Sequence, residues 1–152
     1  MVSQWMDIQW WEVLESLWHM LFAYALAIPI GLDREQSRRH FGLRTFPLVA
    51  VVSCGFMLVG LTAIDSPDGE ARIFQGIVTG IGFIGGGAIF KGEDTVAGTA
   101  SAASIWNTGA IGLAVAYNHF EIAIVLSVLN FLTLYVFGRV KRDVLKSHER
   151  DD

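Results

Sequence analysis

Five long apolar stretches, separated by short polar segments, dominate the chain. They cover residues 14–32, 46–64, 73–90, 99–117 and 122–138. Each is close to the roughly 20 residues that an α-helix needs to cross a bilayer. Among the Asp, Glu, Lys and Arg side chains, only Glu15 lies inside a stretch, near its end. Since these stretches lack the 3.6-residue alternation of a soluble amphipathic helix, they predict an all-α, polytopic membrane bundle of five transmembrane helices.

The basic residues between the stretches predict an orientation. With the N-terminus outside and the C-terminus inside, ten basic residues lie on the inner side and one on the outer side, as the positive-inside rule requires. Four of the inner ones are Arg34, Arg38, Arg39 and Arg44. The fourth stretch begins with a polar run, so four crossings are the alternative. Without that crossing, however, the basic tail would lie outside.

The stretches also predict a division of the chain. Residues 1–13, rich in tryptophan, are expected to form an outer interfacial segment, because tryptophan prefers the membrane surface. Residues 14–138 form the membrane domain, and 139–152 form a basic cytoplasmic tail with no soluble C-terminal domain after it. The acidic loop 65–72 between the second and third stretches is expected to be a solvated turn.

Composition excludes some classes of function. Charged residues make up 17% of the 152 residues, against about 25% in typical globular proteins, and the formal net charge of −4 argues against a nucleic-acid partner. No combination of a nucleophile with a base indicates an enzyme, and no cofactor is predicted. Cys54 cannot form an internal disulfide and is expected to be a small core residue. Whether a metal binds is left open.

Small residues concentrate in the third and fourth stretches. Such residues let transmembrane helices approach closely, so these two stretches are expected to form the middle of the bundle and a face for a partner. For the third stretch, the alternative is a helix broken at 85–87. The residues of this predicted packing face are Gly76, Gly80, Gly82, Gly85, Gly86, Gly87, Gly98 and Ala102.

Two further groups of polar residues are candidates for function. Ser104, Asn107, Thr108 and Asn130 lie inside apolar stretches, where they are expected to form interhelical hydrogen bonds or, alternatively, to line a polar path. The loop 32–46 is the most charge-dense at the inner surface. Its side chains are expected to anchor lipid headgroups or, alternatively, to bind a partner or a cation. The residues of this inner-surface motif are Asp33, Arg34, Glu35 and Arg44.

Four segments carry a family resemblance. They are GLDRE (31–35), GLRTFPLVA (42–50), GIGFIGGGAIF (80–90) and GTASAASIWNTGAIGLAV (98–115). In this order and spacing the chain resembles the MgtC/SapB family over about residues 14–138. The sequence departs from the family at Phe46–Pro47, and the soluble C-terminal domain that many virulence-associated members carry is not expected after the last stretch.

The resemblance implies a role in the bacterial inner membrane. It implies adaptation to low magnesium, acid stress or life inside host cells, through contact with another membrane protein such as the F-type ATP synthase. The first hypothesis is therefore a non-enzymatic regulator whose partners are the bilayer and a membrane protein. The alternative is a small Mg²⁺ or H⁺ transporter or channel subunit that works as a homo-oligomer.

Overall fold

The computed structural model describes residues 9–36, 42–92 and 95–151, with side chains described as far as Val140. These residues form five helices and one short hairpin, in the order α1 (Trp10–Gln36), α2 (Thr45–Ala63), α3 (Pro67–Gly87), β1 (Phe90–Lys91), β2 (Val96–Ala97), α4 (Thr99–Ala116) and α5 (Phe120–Asp151). Each apolar stretch of the sequence overlaps one helix. The all-α prediction is therefore confirmed.

Three of the helices are long and apolar enough to cross a membrane. These segments are Trp10–Glu35 in α1, Thr45–Ala63 in α2 and Phe120–Val140 in α5. The helix α1 begins at Trp10, so residues 10–13 of the predicted interfacial segment are its first turn, while residues 1–8 lie outside the described residues. The helix α5 continues without interruption into the predicted tail.

The helix α4 is the centre of the bundle. It packs against α1, α2, α3 and α5, and its Ile105, Ile111 and Val115 are fully buried. Because most of its surface faces other helices and not lipid, α4 can carry many small polar side chains. The prediction of a central position is confirmed for this helix.

The helix α3 lies at the side of the bundle, where the sequence had predicted a central helix. It packs mainly against α4 and α2, and of its 21 residues only Ile81 and Gly85 are buried. The prediction of a central α3 is therefore wrong. Glycine content indicates that a helix can be approached closely, but it does not identify the neighbour that makes the approach.

Both ends of α3 differ from the sequence-based expectation. Ser66 caps its start, because the Ser66 hydroxyl accepts a hydrogen bond from the Gly69 N–H at 3.2 Å, and Pro67 occupies the first turn. The predicted solvated turn is thus the beginning of a helix. At the other end the helix is continuous to Gly87 and stops there, so the three glycines of 85–87 mark its end and not a break.

The connection from α3 to α4 is an antiparallel hairpin. Phe90 pairs with Ala97 and Lys91 pairs with Val96. Gly98 follows with a φ of +89°, and the carbonyl oxygen of Ala88 fills the space where a Cβ would lie. Gly98 therefore allows the backbone conformation at the end of the hairpin. The sequence had indicated a role in helix packing instead.

Candidate functional site

The inner-surface motif lies mostly on helix α1 and not in a loop. The helix runs past the apolar stretch as far as Gln36, so Asp33, Arg34 and Glu35 form its last turn. The Arg34 guanidinium donates a hydrogen bond from Nη2 to Asp33 Oδ2 at 3.1 Å, and the Arg34 side chain is only 8% exposed. This charge is therefore held inside the end of the bundle, where a lipid headgroup does not reach it.

Glu35 organises the start of α2. Its Oε2 accepts a hydrogen bond from the Leu43 N–H at 3.1 Å. One turn earlier on α1, Gly31 lies against the same segment, since a Cβ there would be 3.1 Å from the Leu43 Cα. The Gly42 carbonyl oxygen in turn accepts hydrogen bonds from the N–H groups of Thr45 and Phe46. The GLDRE and GLRTF segments are thus the two sides of one tight junction.

Arg44 is the exposed member of the motif. It stands at the cap position before α2 with helical dihedral angles, and its side chain is exposed. Among the residues that the structure describes, no carboxylate forms an ion pair with it. Arg38 and Arg39 lie outside the described residues. Of the two described arginines of the motif, Arg34 is therefore buried and Arg44 leaves its charge at the surface of the bundle.

The four polar residues of the apolar stretches meet at the α4–α5 interface. The Ser104 hydroxyl donates to Asn130 Oδ1 at 3.0 Å, and Asn107 Nδ2 donates to the Leu126 carbonyl oxygen at 3.3 Å. Thr108 donates within its own helix, to the Ser104 carbonyl oxygen at 2.7 Å. Both asparagines therefore form interhelical hydrogen bonds, the first of the two roles that the sequence allowed.

One amide group at this interface is incompletely satisfied. Asn130 Nδ2 is buried and has no hydrogen-bond partner among the described residues. One polar atom of Asn130 therefore lies between helices with an unused hydrogen-bonding capacity.

The α3 glycines divide into three groups. Gly85 contacts α4, since a Cβ there would lie 3.2 Å from the Ala102 carbonyl oxygen, so this predicted packing pair does meet. Nothing lies within 4 Å of a Cβ placed at the other five α3 glycines of the predicted packing face, which are Gly76, Gly80, Gly82, Gly86 and Gly87. Two of those, Gly76 and Gly80, line a cavity. Gly82 and Gly86 lie on another face, and Gly87 is open at the helix end.

The cavity is a groove of about 830 Å³ between α2 and α3. Its walls are apolar, and it reaches from Leu48 and Ile84 at one end to Ala63 and Ile73 at the other. Phe83 at its edge is 86% exposed. The groove exists because both helices pack on α4 while contacting each other only over a short length.

The second open face of α3 carries two residues that sequence reasoning missed. Gln75, Thr79, Gly82 and Gly86 follow the spacing i, i+4, i+7 and i+11, and all four are exposed. They therefore form one stripe along the helix. The signal was present in the sequence as a polar and small periodicity within an apolar stretch. We call these four residues the small-residue stripe.

A buried histidine lies near the opposite end of α1. His19 is 5% exposed, its Nδ1 lies 2.8 Å from the Glu15 carbonyl oxygen, and its Nε2 lies 2.9 Å from Asn118 Oδ1. The Phe120 ring lies beside it, with the ring centroids 5.8 Å apart. His19 thereby ties α1 to the turn between α4 and α5, a partner that the sequence did not reveal.

Comparison with known proteins identifies similar chains. The sequence model of the MgtC family matches residues 20–143. The protein SrpB of Synechococcus elongatus is 32% identical over 136 residues, which are 81% of this chain and 75% of SrpB. YhiD of Escherichia coli K12, named as a proposed magnesium transporter, is 35% identical over 133 residues, or 83% of this chain and 62% of YhiD.

Other relatives are covered over a smaller share of their length. The protein MgtC of Salmonella typhimurium is 36% identical over 111 residues, which are 73% of this chain and 47% of that protein. The chain thus spans less than two thirds of both YhiD and MgtC. No solved structure matches.

Proposed function

The chain belongs to the MgtC family, and from that membership we propose that it is a non-enzymatic regulator of the bacterial inner membrane. Its family and its apolar helices make it a membrane protein. In the proposal all five helices cross the bilayer, with the N-terminus outside and the C-terminus inside. The protein acts by pressing one helix face against a partner within the membrane.

The five-span arrangement is supported by the position of α4. A helix that contacts all four others must run through the same layer as α1, α2 and α5. Its 18 residues extend about 27 Å at 1.5 Å per residue, close to the thickness of a hydrocarbon core. The charge distribution then orients the bundle.

Thiol labelling in spheroplasts tests this orientation. In a Cys54→Ser background, a cysteine replacing Lys91 is expected to react from the inner side only, and one replacing His119 from the outer side only. Both positions are exposed. The opposite labelling pattern would reject the N-out, C-in topology.

The observation that carries the regulatory proposal is the small-residue stripe on α3. Gln75 lies about 10 Å along the helix from the middle of the apolar stretch 73–90, inside a hydrocarbon core about 30 Å thick. An exposed amide in lipid lacks hydrogen-bond partners and is costly. A second helix laid on Gly82 and Gly86 could approach closely and satisfy Gln75, as small-residue interfaces do in membranes.

The candidate partners in this proposal are taken from the resemblance of the sequence to the MgtC/SapB family. The F-type ATP synthase is the first candidate, and a second copy of this chain is the other. The physiological setting in the proposal is adaptation to low magnesium, acid stress or intracellular survival. The chain covers only part of the length of several relatives, so the roles of those relatives are assigned to this chain only as proposals.

Recovery of partners from detergent tests the contact. Replacing Gly82 and Gly86 together by leucine should abolish co-purification of the partner, because two branched side chains would hold the helices apart. The matched control is the pair Gly76→Leu and Gly80→Leu, which changes the same helix to the same extent on the groove face. If the stripe variant inserts normally and still recovers the partner, the contact face is wrong.

A cation transporter is the second candidate, favoured by the name of the relative YhiD. In this proposal the incompletely satisfied Asn130 amide and neighbouring Asn107 lie along the path, and a homo-oligomer encloses it. Purified protein in liposomes should then pass Mg²⁺ or H⁺, and Asp33→Asn should reduce the flux. The absence of flux under any gradient would exclude it.

A further inference from the structure

The groove between α2 and α3 is closed at one end. The two helices are joined by only three residues, 64–66, and at that end the Ile73 side chain packs directly on Gly60. From there the groove extends along both helices to Leu48 and Ile84, where α2 begins and α3 ends without a direct connection. The groove is therefore closed where the two helices are joined, and we call its other end, at Leu48 and Ile84, the mouth.

The lining of the groove is almost entirely apolar and therefore suited to a hydrocarbon ligand. Among the lining side chains only Ser53 carries a polar group, and Ser53 itself is buried. The lining glycines Gly76 and Gly80 leave open space in place of side chains. A volume of about 830 Å³ falls within the range of roughly 300–1,000 Å³ that is usual for small-molecule sites.

The mouth carries a positive charge. Arg44 precedes Leu48 by four residues and has helical dihedral angles, so the two side chains share one face of α2. Leu48 lines the open end of the groove. Arg44 lies one turn further toward the membrane surface, exposed and without an ion pair among the described residues.

We propose that this groove binds one acyl chain of an anionic phospholipid, whose phosphate contacts Arg44 at the mouth. The closed end favours a thin, flexible occupant over a helix, which is about 10–12 Å wide and could not lie along the full length. The combination of an apolar slot and a guanidinium matches the two halves of a phospholipid. The bound lipid lies against a face of α3 that does not include the small-residue stripe.

Native mass spectrometry of the full chain tests the assignment. The protein is released from detergent micelles that contain either phosphatidylglycerol or phosphatidylcholine, and the lipid-bound fraction is measured. We expect one tightly retained lipid, with phosphatidylglycerol preferred. Gly80→Leu should lose most of it, because the leucine side chain occupies the slot. Arg44→Gln should reduce the preference for phosphatidylglycerol by about fivefold, which corresponds to the ~1 kcal/mol typical of one basic residue near anionic lipid.

Two control variants separate this site from general effects. Gly82→Leu adds the same bulk to the other open face of α3, and Arg72→Gln removes a charge near the closed end. Both should retain the lipid with unchanged preference. Equal retention of the two lipids by the unaltered protein, or equal loss from Gly80→Leu and Gly82→Leu, would overturn the proposal. So would a Gly80→Leu variant that keeps its lipid but loses a homodimer seen by crosslinking, since the occupant would then be a second copy.

The outcome is independent of the regulatory proposal. Partner recovery depends on Gly82 and Gly86, whereas lipid retention depends on Gly80 and Arg44. If the Gly82→Leu, Gly86→Leu variant retains lipid normally and still recovers the partner, the regulatory contact alone is rejected.

Discussion

The carbonyl oxygen of Ala50 in α2 occupies the space where a side chain on Gly112 in α4 would begin. The Cys54 N–H nitrogen lies 3.0 Å from the same point. The Ser53 Cβ is equally close, so at this point the backbones of α2 and α4 are nearly in contact, in the helix pair that is the most extensive of the bundle. This contact sets the distance between α4 and α2, and α2 forms one wall of the groove.

Replacing Gly112 by alanine should therefore destabilise the bundle. The added methyl group meets backbone atoms that cannot rotate away, so α2 and α4 must separate, at a cost of about 1–3 kcal/mol. Thermal unfolding in detergent micelles, followed by tryptophan fluorescence, measures the loss. Gly76→Ala is the matched control, because nothing lies within 4 Å of a Cβ there, and it should unfold at the temperature of the unaltered protein. Equal melting of the two variants would show that the helices do not touch at Gly112.

Because charged residues are separated from apolar ones along the chain, the helices could be located from the sequence. Several of the helix ends could not. The stretch 46–64 became Thr45–Ala63, and 99–117 became Thr99–Ala116. The stretch 73–90 instead became Pro67–Gly87. Hydropathy reports the part of a chain that lipid tolerates, whereas helix ends depend on capping. The Ser66–Pro67 signal for a start was present and was interpreted as a turn.

The roles of the glycines were less accessible from sequence. Gly98 and Gly82 look alike in a small-residue pattern, yet one provides a positive φ and the other faces open space. Which glycine contacts a neighbour depends on how the helices are arranged around α4, and that is a property of the whole bundle. The exposed stripe could have been found, since Gln75 and Thr79 stand at helical spacing from Gly82.

The hairpin after α3 should be sensitive to substitution of Gly98. Alanine at this position must adopt a left-handed conformation, which costs roughly 1–2 kcal/mol for an L-residue, and it also meets the Ala88 carbonyl oxygen. We expect a lower melting temperature in micelles and loss of the ordered α3–α4 connection, detected as increased proteolysis near Lys91. Gly87→Ala, a few residues earlier and in open space, should resist proteolysis like the unaltered protein. A protease-resistant Gly98→Ala would contradict the hairpin geometry.

Glu35 should control the order of the segment that starts α2. Removing its carboxylate in Glu35→Ala leaves the Leu43 N–H without its acceptor, and a hydrogen bond of this kind contributes about 1 kcal/mol. Hydrogen–deuterium exchange at Leu43 should then become about fivefold faster. Glu35→Gln keeps an acceptor oxygen of the same reach and should restore most of the protection. If the glutamine variant exchanges as fast as the alanine variant, the negative charge and not the hydrogen bond holds the junction.

The effects of substituting Ser104 and Asn130 on the free energy of unfolding should not be additive, because the two side chains share a hydrogen bond. Ser104→Ala removes the donor to the Asn130 amide and should cost about 0.6 kcal/mol, the average for such bonds within membranes. Asn130→Leu removes the incompletely satisfied amide as well, and the Ser104 hydroxyl that loses its acceptor can donate to a carbonyl oxygen of the preceding turn, so the substitution should cost less than an ordinary lost hydrogen bond. The double variant should therefore be at least as stable as Ser104→Ala alone. Equilibrium unfolding in SDS–detergent mixtures measures all three, and additive losses would show that the two side chains do not interact.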